Sequence, residues 1–278
     1  INRSIQPTRC RSKKFAHSEE EVQLPPVALN RRSFLLGSGL TAMGLVGCSK
    51  VAQTDASQAN IGAGATAVPS NETPRSCRPG DSLSALKDGN RRFATAWQSK
   101  NTADTTEARA KAMSNLWLDN CYLPSSVLDK GQAPWASILT CADSRVAPEW
   151  IFDAAPSDLF VIRSAGNTAF DDAIASLEYG VAVLKTPLIM VMGHSACGAV
   201  DAARKSDPLT PLLEKLVTPI RASLTPGETL DESIQANARY AANQLTERSA
   251  VLSDAVKNGS LQIVVSTFNI ADGSVSMV

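Results

Sequence analysis

The chain has 278 residues, of which 44% are hydrophobic and 5% aromatic, and its 27 basic and 27 acidic residues cancel. A zero net charge gives no support for nucleic acid as a partner, and the length fits one or two domains. Residues 1–47 hold seven Lys/Arg and three Asp/Glu, which leaves 20 and 24, a net charge of −4, for the remainder. This uneven charge predicts an address segment ahead of a soluble domain.

Residues 1–47 are predicted to be a leader with an export signal. Arg31-Arg32 precede the apolar run Phe34–Val46, which is shorter than the roughly 17–25 residues that span a bilayer. This arrangement resembles a twin-arginine signal. Cys48 follows Leu45-Val46-Gly47 and resembles the acylated cysteine of a lipoprotein box; a plain signal cleaved nearby, or a buried helix, are the alternatives. We therefore expect export to the periplasm or cell envelope, with a lipid anchor at Cys48.

Residues 48–80 are rich in Ala, Ser, Thr, Gly and Asn and show no apolar period, which is typical of a flexible tether. From residue 81 the pattern becomes globular, so residues 81–278 are predicted to form the functional domain. An amphipathic helix is indicated by four apolar residues on one helical face: Leu83, Leu86, Phe93 and Trp97. Residues 100–131 are expected to mix helix and loop.

Short apolar runs bounded by turn-forming residues predict four buried strands: Trp135–Thr140, Leu159–Arg163, Leu188–Met192 and Leu261–Ser266. The stretches between them predict helices: Asp171–Leu184, Cys197–Lys205 and Leu230–Lys257, the last broken near Ser249. Continuous apolar strands alternating with helices indicate an α/β fold, a mainly parallel β-sheet flanked by helices on both faces. In such sheets, functional sites form beyond the carboxyl ends of the strands.

Two motifs stand at these strand ends. Cys141-Ala-Asp143-Ser-Arg145 follows the first strand, and His194-Ser-Ala-Cys197 follows the third. Two thiolates and an imidazole suit zinc, and three protein ligands leave a fourth position open, as in catalytic zinc sites. Zinc makes a bound water acidic. Asp143 is placed to accept a hydrogen bond from that water, and Arg145 to keep Asp143 ionised and oriented.

Each residue alone has a simpler interpretation. Cys141 alone is typical of a buried apolar side chain, Asp143 with Arg145 of a surface ion pair, and Cys197 of a redox site. Their joint occurrence around His194, the one histidine after residue 17, favours metal binding.

The motif pair resembles that of β-class carbonic anhydrases, and the resemblance extends over roughly residues 82–278. The resemblance implies a zinc site with three ligands: Cys141, His194 and Cys197. It implies a catalytic dyad, Asp143 and Arg145. It also implies a carbon dioxide pocket lined by three side chains: Gln132, Phe160 and Tyr179. The family fold has a four-stranded parallel core with an added edge strand, so we expect this fold and a homodimer or higher homo-oligomer.

The resemblance implies reversible hydration of carbon dioxide to bicarbonate and a proton. Hydrolysis of carbonyl sulfide or carbon disulfide on the same fold is the first alternative. A non-catalytic zinc or bicarbonate-binding protein is the second, although such a protein needs neither Asp143 nor Arg145. Some family members close the site with the aspartate under bicarbonate control. Because Ile138 stands where those members often carry Trp, we expect no such control here.

Cys77 and Cys121 remain outside this constellation. A bridge between them would close a loop of about 45 residues and contribute roughly 3–4 kcal/mol by loop-closure entropy. Two free or buried thiols are the alternative.

Overall fold

A computed structural model describes residues 71–278, so the predicted leader and most of the predicted tether, including Cys48, lie outside the described residues. The described part contains a five-stranded sheet with the order β2-β1-β3-β4-β5. Its strands are β1 (Ala136–Cys141), β2 (Leu159–Ser164), β3 (Leu188–His194), β4 (Gln262–Phe268) and β5 (Val275–Met277). The first four are parallel, and β5 pairs antiparallel with β4 at one edge. The predicted fold class is confirmed.

Helices cover both faces of this sheet. They are α1 (Ser82–Asn101), α2 (Thr106–Met113), α3 (Ser125–Leu128), α4 (Pro148–Ile151), α5 (Asp171–Ala182), α6 (Gly198–Arg204), α7 (Pro211–Arg221), α8 (Leu230–Arg248) and α9 (Ala250–Lys257). The break predicted near Ser249 is confirmed, because the Ser249 side chain caps α9 where α8 ends. Residues 100–131 mix helix and loop as expected.

Helix α7 was not predicted from the sequence. Thr210 caps its start, Pro211 occupies the first turn, and Pro219 lies inside the helix. A proline suits the first turn of a helix, but an interior proline normally ends one. The interior Pro219 therefore hides a helix whose buried residues are Val217 and Ile220.

The central strands β1 and β3 are buried throughout because each contributes to two separate cores. Leu139 of β1, with Ile189 and Val191 of β3, packs toward α5, α8 and α9. Ile138 and Met190, which point to the opposite face, pack with residues of α1 and α4. Alternate side chains of a strand point to opposite faces, so burial of both faces requires an unbroken apolar run. This packing fixes the strand ends that carry the two motifs.

The sequence left open whether Cys77 and Cys121 form a bridge, and the structure contains it, with a Cα–Cα distance of 5.6 Å. Cys77 and the neighbouring Arg78 were assigned to the flexible tether, and the structure corrects that boundary. Both are bonded to the domain, Cys77 through the disulfide and Arg78 through backbone carbonyls of residues 133, 134, 184 and 185. Residues 48–80 are mostly small and polar, and this composition gave no sign that Cys77 and Arg78 are attached to the domain.

Within residues 71–278, no helix combines the length and the apolar character needed to cross a membrane.

Gly89 allows α1 to lie directly against the chain at Phe152. A Cβ at position 89 would stand 1.9 Å from the Phe152 carbonyl oxygen. An alanine in a helix normally stabilises by about 1 kcal/mol relative to glycine. We nevertheless expect Gly89→Ala to lower the free energy of unfolding by about 2 kcal/mol, because backbone must move to relieve the overlap. Urea unfolding measures the sign of the change.

Gly80→Ala is the matched control, since no atom lies within 4 Å of its added Cβ. A Gly89→Ala variant that is more stable than the parent protein would contradict the close packing of α1.

Candidate metal centre

The central feature of the site is a cluster of two thiols and one imidazole. Cys141 is the last residue of β1, His194 is the last residue of β3, and Cys197 immediately precedes α6. Their ligand atoms lie within 4.8 Å of one another, and all three residues are buried. β1 and β3 are parallel neighbours, so their carboxyl ends meet at the same edge of the sheet. The structure thus brings the three predicted ligands together.

The turn between His194 and Cys197 is held in shape by its own backbone and by the end of β4. Ala196 has a φ of 54°, a left-handed conformation that turns the chain sharply. The Ser195 amide donates to the Phe268 carbonyl at 2.9 Å, and the Ser195 hydroxyl accepts from the Ile270 amide at 3.0 Å. These bonds aim both His194 and Cys197 toward Cys141.

The imidazole of His194 is oriented for coordination. Its Nδ1 lies 3.0 Å from the Ser195 carbonyl oxygen, so Nδ1 carries the hydrogen and Nε2 keeps its lone pair. Nε2 is buried and has no hydrogen-bond partner. A buried nitrogen without a partner costs free energy, and a metal ion in the cluster would satisfy it.

The two thiols also indicate a cation. A hydrogen bond from the Cys197 thiol lowers the pKa of Cys141, and the Gly166 amide lowers it further. The same contact with Cys141, together with burial, raises the pKa of Cys197. Without a cation, only one of the two sulfurs therefore ionises readily. A divalent metal ion would let both exist as thiolates, which are its natural ligands.

Asp143 and Arg145 form a closed pair beside this cluster. The Arg145 Nε donates to Oδ1 of Asp143 at 2.9 Å, and Nη2 donates to Oδ2 at 2.6 Å. The Arg145 backbone amide also donates to Oδ1. This guanidinium holds the pKa of Asp143 well below its usual range. Oδ2 lies 3.9 Å from the His194 Nε2, so an ionised carboxylate faces the ligand cluster.

Several residues that support the site were given no role from the sequence. Arg163 donates through Nε to the Cys141 carbonyl at 3.1 Å and through Nη2 to the Asp143 carbonyl at 2.6 Å. The Gly166 amide donates to the Cys141 sulfur at 3.2 Å, and its own carbonyl accepts from Asn237 at 2.7 Å. The left-handed φ of 67° at Gly166 turns its amide in this direction. A glycine two residues after the end of β2 is the one sequence feature that could have indicated this contact.

The three predicted pocket residues lie elsewhere in the domain. In the sheet register, Phe160 pairs with Ser137, whereas Ser164 pairs with Cys141. Four residues of strand correspond to about 13 Å, so Phe160 is near the opposite end of the sheet from the cluster. The Tyr179 ring lies 6.2 Å from that of Phe160, and Tyr179 shares a cavity of about 590 Å³ with Gln132. One subunit therefore does not bring these residues to its own metal ligands.

Comparisons with known proteins were consistent with one another. The family model described as "Carbonic anhydrase" matches residues 136–275. Carbonic anhydrase 2 of Mycobacterium tuberculosis is 35% identical over 198 residues, which cover 68% of this chain and 87% of that protein. The β-carbonic anhydrase of Coccomyxa, solved in complex with acetazolamide, is 26% identical with a TM-score of 0.50, covering 72% of this chain and 87% of the other.

A third similarity concerns the fold alone. A structure from a study of two tetrameric β-carbonic anhydrases of Sordaria macrospora is 24% identical, with a TM-score of 0.51, and the match covers 68% of this chain and 97% of that one.

The ligand cluster predicts stoichiometric metal binding that depends on each donor. We expect the purified protein to take up one Co²⁺ per chain, used as a probe ion, with a near-ultraviolet thiolate-to-cobalt charge-transfer band. Cys197→Ser should weaken binding strongly and reduce the band, because one thiolate is lost. Absorbance titration measures both quantities. Asp88→Asn, which changes an exposed carboxylate on α1 and leaves the site untouched, is the control. Undiminished binding by Cys197→Ser would show that Cys197 is not a ligand.

Proposed function

Because this chain belongs to the carbonic anhydrase family and has the fold of its β class, we propose that it carries out zinc-dependent reversible hydration of carbon dioxide to bicarbonate. The observation that carries this proposal is the buried Cys141–His194–Cys197 cluster with an ionised aspartate beside it. A structural zinc site is normally closed by four protein ligands and needs no such aspartate.

The donor set fits zinc in its number and chemistry. Two sulfurs and one imidazole nitrogen are zinc ligands, and three protein ligands are the usual number in a catalytic site. Among residues 71–278, the group of possible ligands contains only these three side chains, which leaves a coordination position for a small molecule. When bound there, zinc would act as a Lewis acid that makes a coordinated water acidic near neutral pH.

The proposed role of Asp143 follows from its bonds. Both of its oxygens accept from Arg145, so the carboxylate stays ionised and is not free to turn inward as a fourth ligand. Its Oδ2 faces the cluster and can accept the hydrogen of the attacking water, which fixes the direction of that water's lone pair toward carbon dioxide. Arg145 also donates to the Ala196 carbonyl at 3.2 Å, which joins the dyad to the turn that carries Cys197. We therefore propose a site that is open at rest.

Two alternative functions would use the same residues. Carbonyl sulfide and carbon disulfide are linear like carbon dioxide, and the ligand cluster by itself does not separate them. The relatives named above favour carbon dioxide. A non-catalytic zinc protein, or one that only binds bicarbonate, would leave the pairing of Asp143 with Arg145 without a purpose.

We propose that the carbon dioxide pocket is completed by a second copy of the chain. The strand register places Phe160 far from the ligands of its own subunit, and Tyr179 and Gln132 lie on the Phe160 side, Tyr179 beside the Phe160 ring and Gln132 in the cavity of Tyr179. Tyr179 is 47% exposed, and β2 forms the edge of the sheet beside it. A partner that packs on this edge could place its own ligand cluster next to these side chains. This arrangement makes a homodimer the smallest active unit.

Export is proposed for this carbonic anhydrase from two independent observations. The pattern of Arg31-Arg32 followed by a short apolar run is typical of an export signal. The Cys77–Cys121 disulfide is the kind of bond that persists in oxidising compartments and is rare in the cytosol. A lipid anchor at Cys48 would then keep the enzyme at the cell envelope.

Asp143→Asn tests the proposed chemistry. We expect the variant to keep one zinc per chain and to lose at least about a hundredfold in kcat/KM for carbon dioxide, because the acceptor for the water's hydrogen is gone. Stopped-flow hydration and metal analysis on the same sample measure this. Asp88→Asn, which changes an exposed carboxylate on α1, is the control. Hydration by Asp143→Asn at the rate of the parent would remove Asp143 from the mechanism.

Subunit mixing tests the shared pocket. Cys141→Ser removes a metal ligand and Gln132→Ala a pocket residue, so each variant alone should have little activity. A heterodimer of the two pairs an intact cluster with an intact pocket at one site. Unfolding and refolding an equal mixture should therefore recover up to about a quarter of the parental activity, the share expected from random pairing. A mixture no more active than its components would place cluster and pocket in the same subunit.

Fractionation tests export. The full chain should reach the cell envelope in a bacterium with a twin-arginine pathway, and replacement of both arginines (Arg31→Lys, Arg32→Lys) should retain it in the cytoplasm. Cys48→Ser should leave export intact but release the protein from the membrane fraction. Envelope delivery that is unaffected by the arginine replacements would contradict the assigned signal.

A further inference from the structure

The segment that carries Gln132 has little packing of its own. Between Cys121 and Gln132, Val127 is the one buried residue, and Gln132 itself is exposed. Gly131, with a φ of 147°, gives the backbone further freedom immediately before Gln132. A stretch with so few buried contacts opens easily. The position of Gln132 therefore depends on what holds the ends of the segment.

The consecutive residues Cys77 and Arg78 hold the two ends of this segment. Cys77 is bonded to Cys121 at the start of the segment. Arg78 donates through Nε to the Ala133 carbonyl at 3.0 Å and through Nη2 to the Pro134 carbonyl at 2.7 Å, directly after Gln132. The disulfide and the hydrogen bonds thus tie the two ends of the segment to adjacent residues, Cys77 and Arg78.

Arg78 also reaches the other wall of the same cavity. Its Nη1 donates to the Lys185 carbonyl and its Nη2 to the Leu184 carbonyl, both at 2.9 Å. Leu184 lines the cavity together with Gln132 and Tyr179. The guanidinium therefore sets the spacing between the loop that bears Gln132 and the chain that follows the helix of Tyr179.

The side chain of Arg78 bonds to backbone alone. All four acceptors are backbone carbonyls, and none of the ion pairs found in residues 71–278 includes it. A planar fork that bonds four carbonyls from two loops fixes their geometry, which a lysine with its single ammonium group cannot reproduce. The arrangement is therefore suited to positioning rather than to charge balance.

We infer that Arg78 and the Cys77–Cys121 disulfide are positioning groups for the substrate pocket, holding Gln132 and Tyr179 at the spacing that carbon dioxide requires. The inference rests on the proposed function, because it takes Gln132 and Tyr179 as pocket residues. It makes full activity conditional on an oxidising compartment, where the disulfide forms.

The test uses the full chain, purified in its oxidised form, with Arg78→Ala, Arg78→Lys and the double variant Cys77→Ala/Cys121→Ala. We expect each to lower kcat/KM for carbon dioxide about tenfold, as small misplacements in a site do, while zinc stays at one per chain. Hydrogen exchange should accelerate in residues 122–134 and remain unchanged in the peptides of β1 and β3. Arg91→Ala, an exposed arginine on α1, should match the parent in every measurement.

The outcomes separate this inference from the proposed function. Loss of zinc in step with activity, kcat/KM within twofold of the parent, or full rescue by Arg78→Lys would each overturn the positioning role. A parent protein that holds zinc and does not hydrate carbon dioxide would overturn the proposed function, and the positioning role with it.

Discussion

Two cysteine sulfurs, buried side by side at the end of a parallel sheet, are the constraint on which this structure depends. A hydrogen bond from Cys197 lowers the pKa of Cys141, and the same contact, together with burial, raises the pKa of Cys197. One of the two sulfurs therefore ionises much more readily than the other. The buried His194 Nε2 has no hydrogen-bond partner. One metal ion would balance the charge of both thiolates and bind the free lone pair of Nε2. The arrangement of the three side chains therefore fits a metal site.

The surrounding residues hold these three metal-binding side chains in position. Gly166 and Asn237 connect the Cys141 sulfur to α8, and Arg163 binds the backbone that leads from Cys141 to Asp143. Supporting bonds of this kind orient metal ligands and limit their alternatives. Because they come from β2, α8 and the turn after β2, the metal centre is built by the whole sheet edge rather than by the two motifs alone.

The sequence allowed the fold class and the ligand cluster to be predicted because both leave local signals. Unbroken apolar strands indicated a sheet covered on two sides, and the two motifs stood at strand ends that must meet. Helix α7 was missed because Pro219, inside the helix, obscures its pattern. The role of Arg78 was missed for a different reason. Its four acceptors are carbonyls from positions 55 to 107 residues away, and carbonyls are the same in every sequence.

The separation of Phe160 from Cys141 shows a further limit. The resemblance assigned both to one site, but only the register of β2 against β1 shows that they lie near opposite ends of the sheet. A list of site residues is therefore compatible with one subunit or with two, and the strand geometry is the reason for the proposal of a pocket shared by two.

The central claim is that turnover requires zinc in the Cys141–His194–Cys197 cluster. The most direct measurement removes zinc from the purified protein with a chelator, restores it in steps, and follows carbon dioxide hydration by stopped flow at each step. Activity should rise in proportion to bound zinc and reach its maximum at one zinc per chain. Hydration that persists in the zinc-free protein, or zinc that binds fully without restoring hydration, would contradict the account.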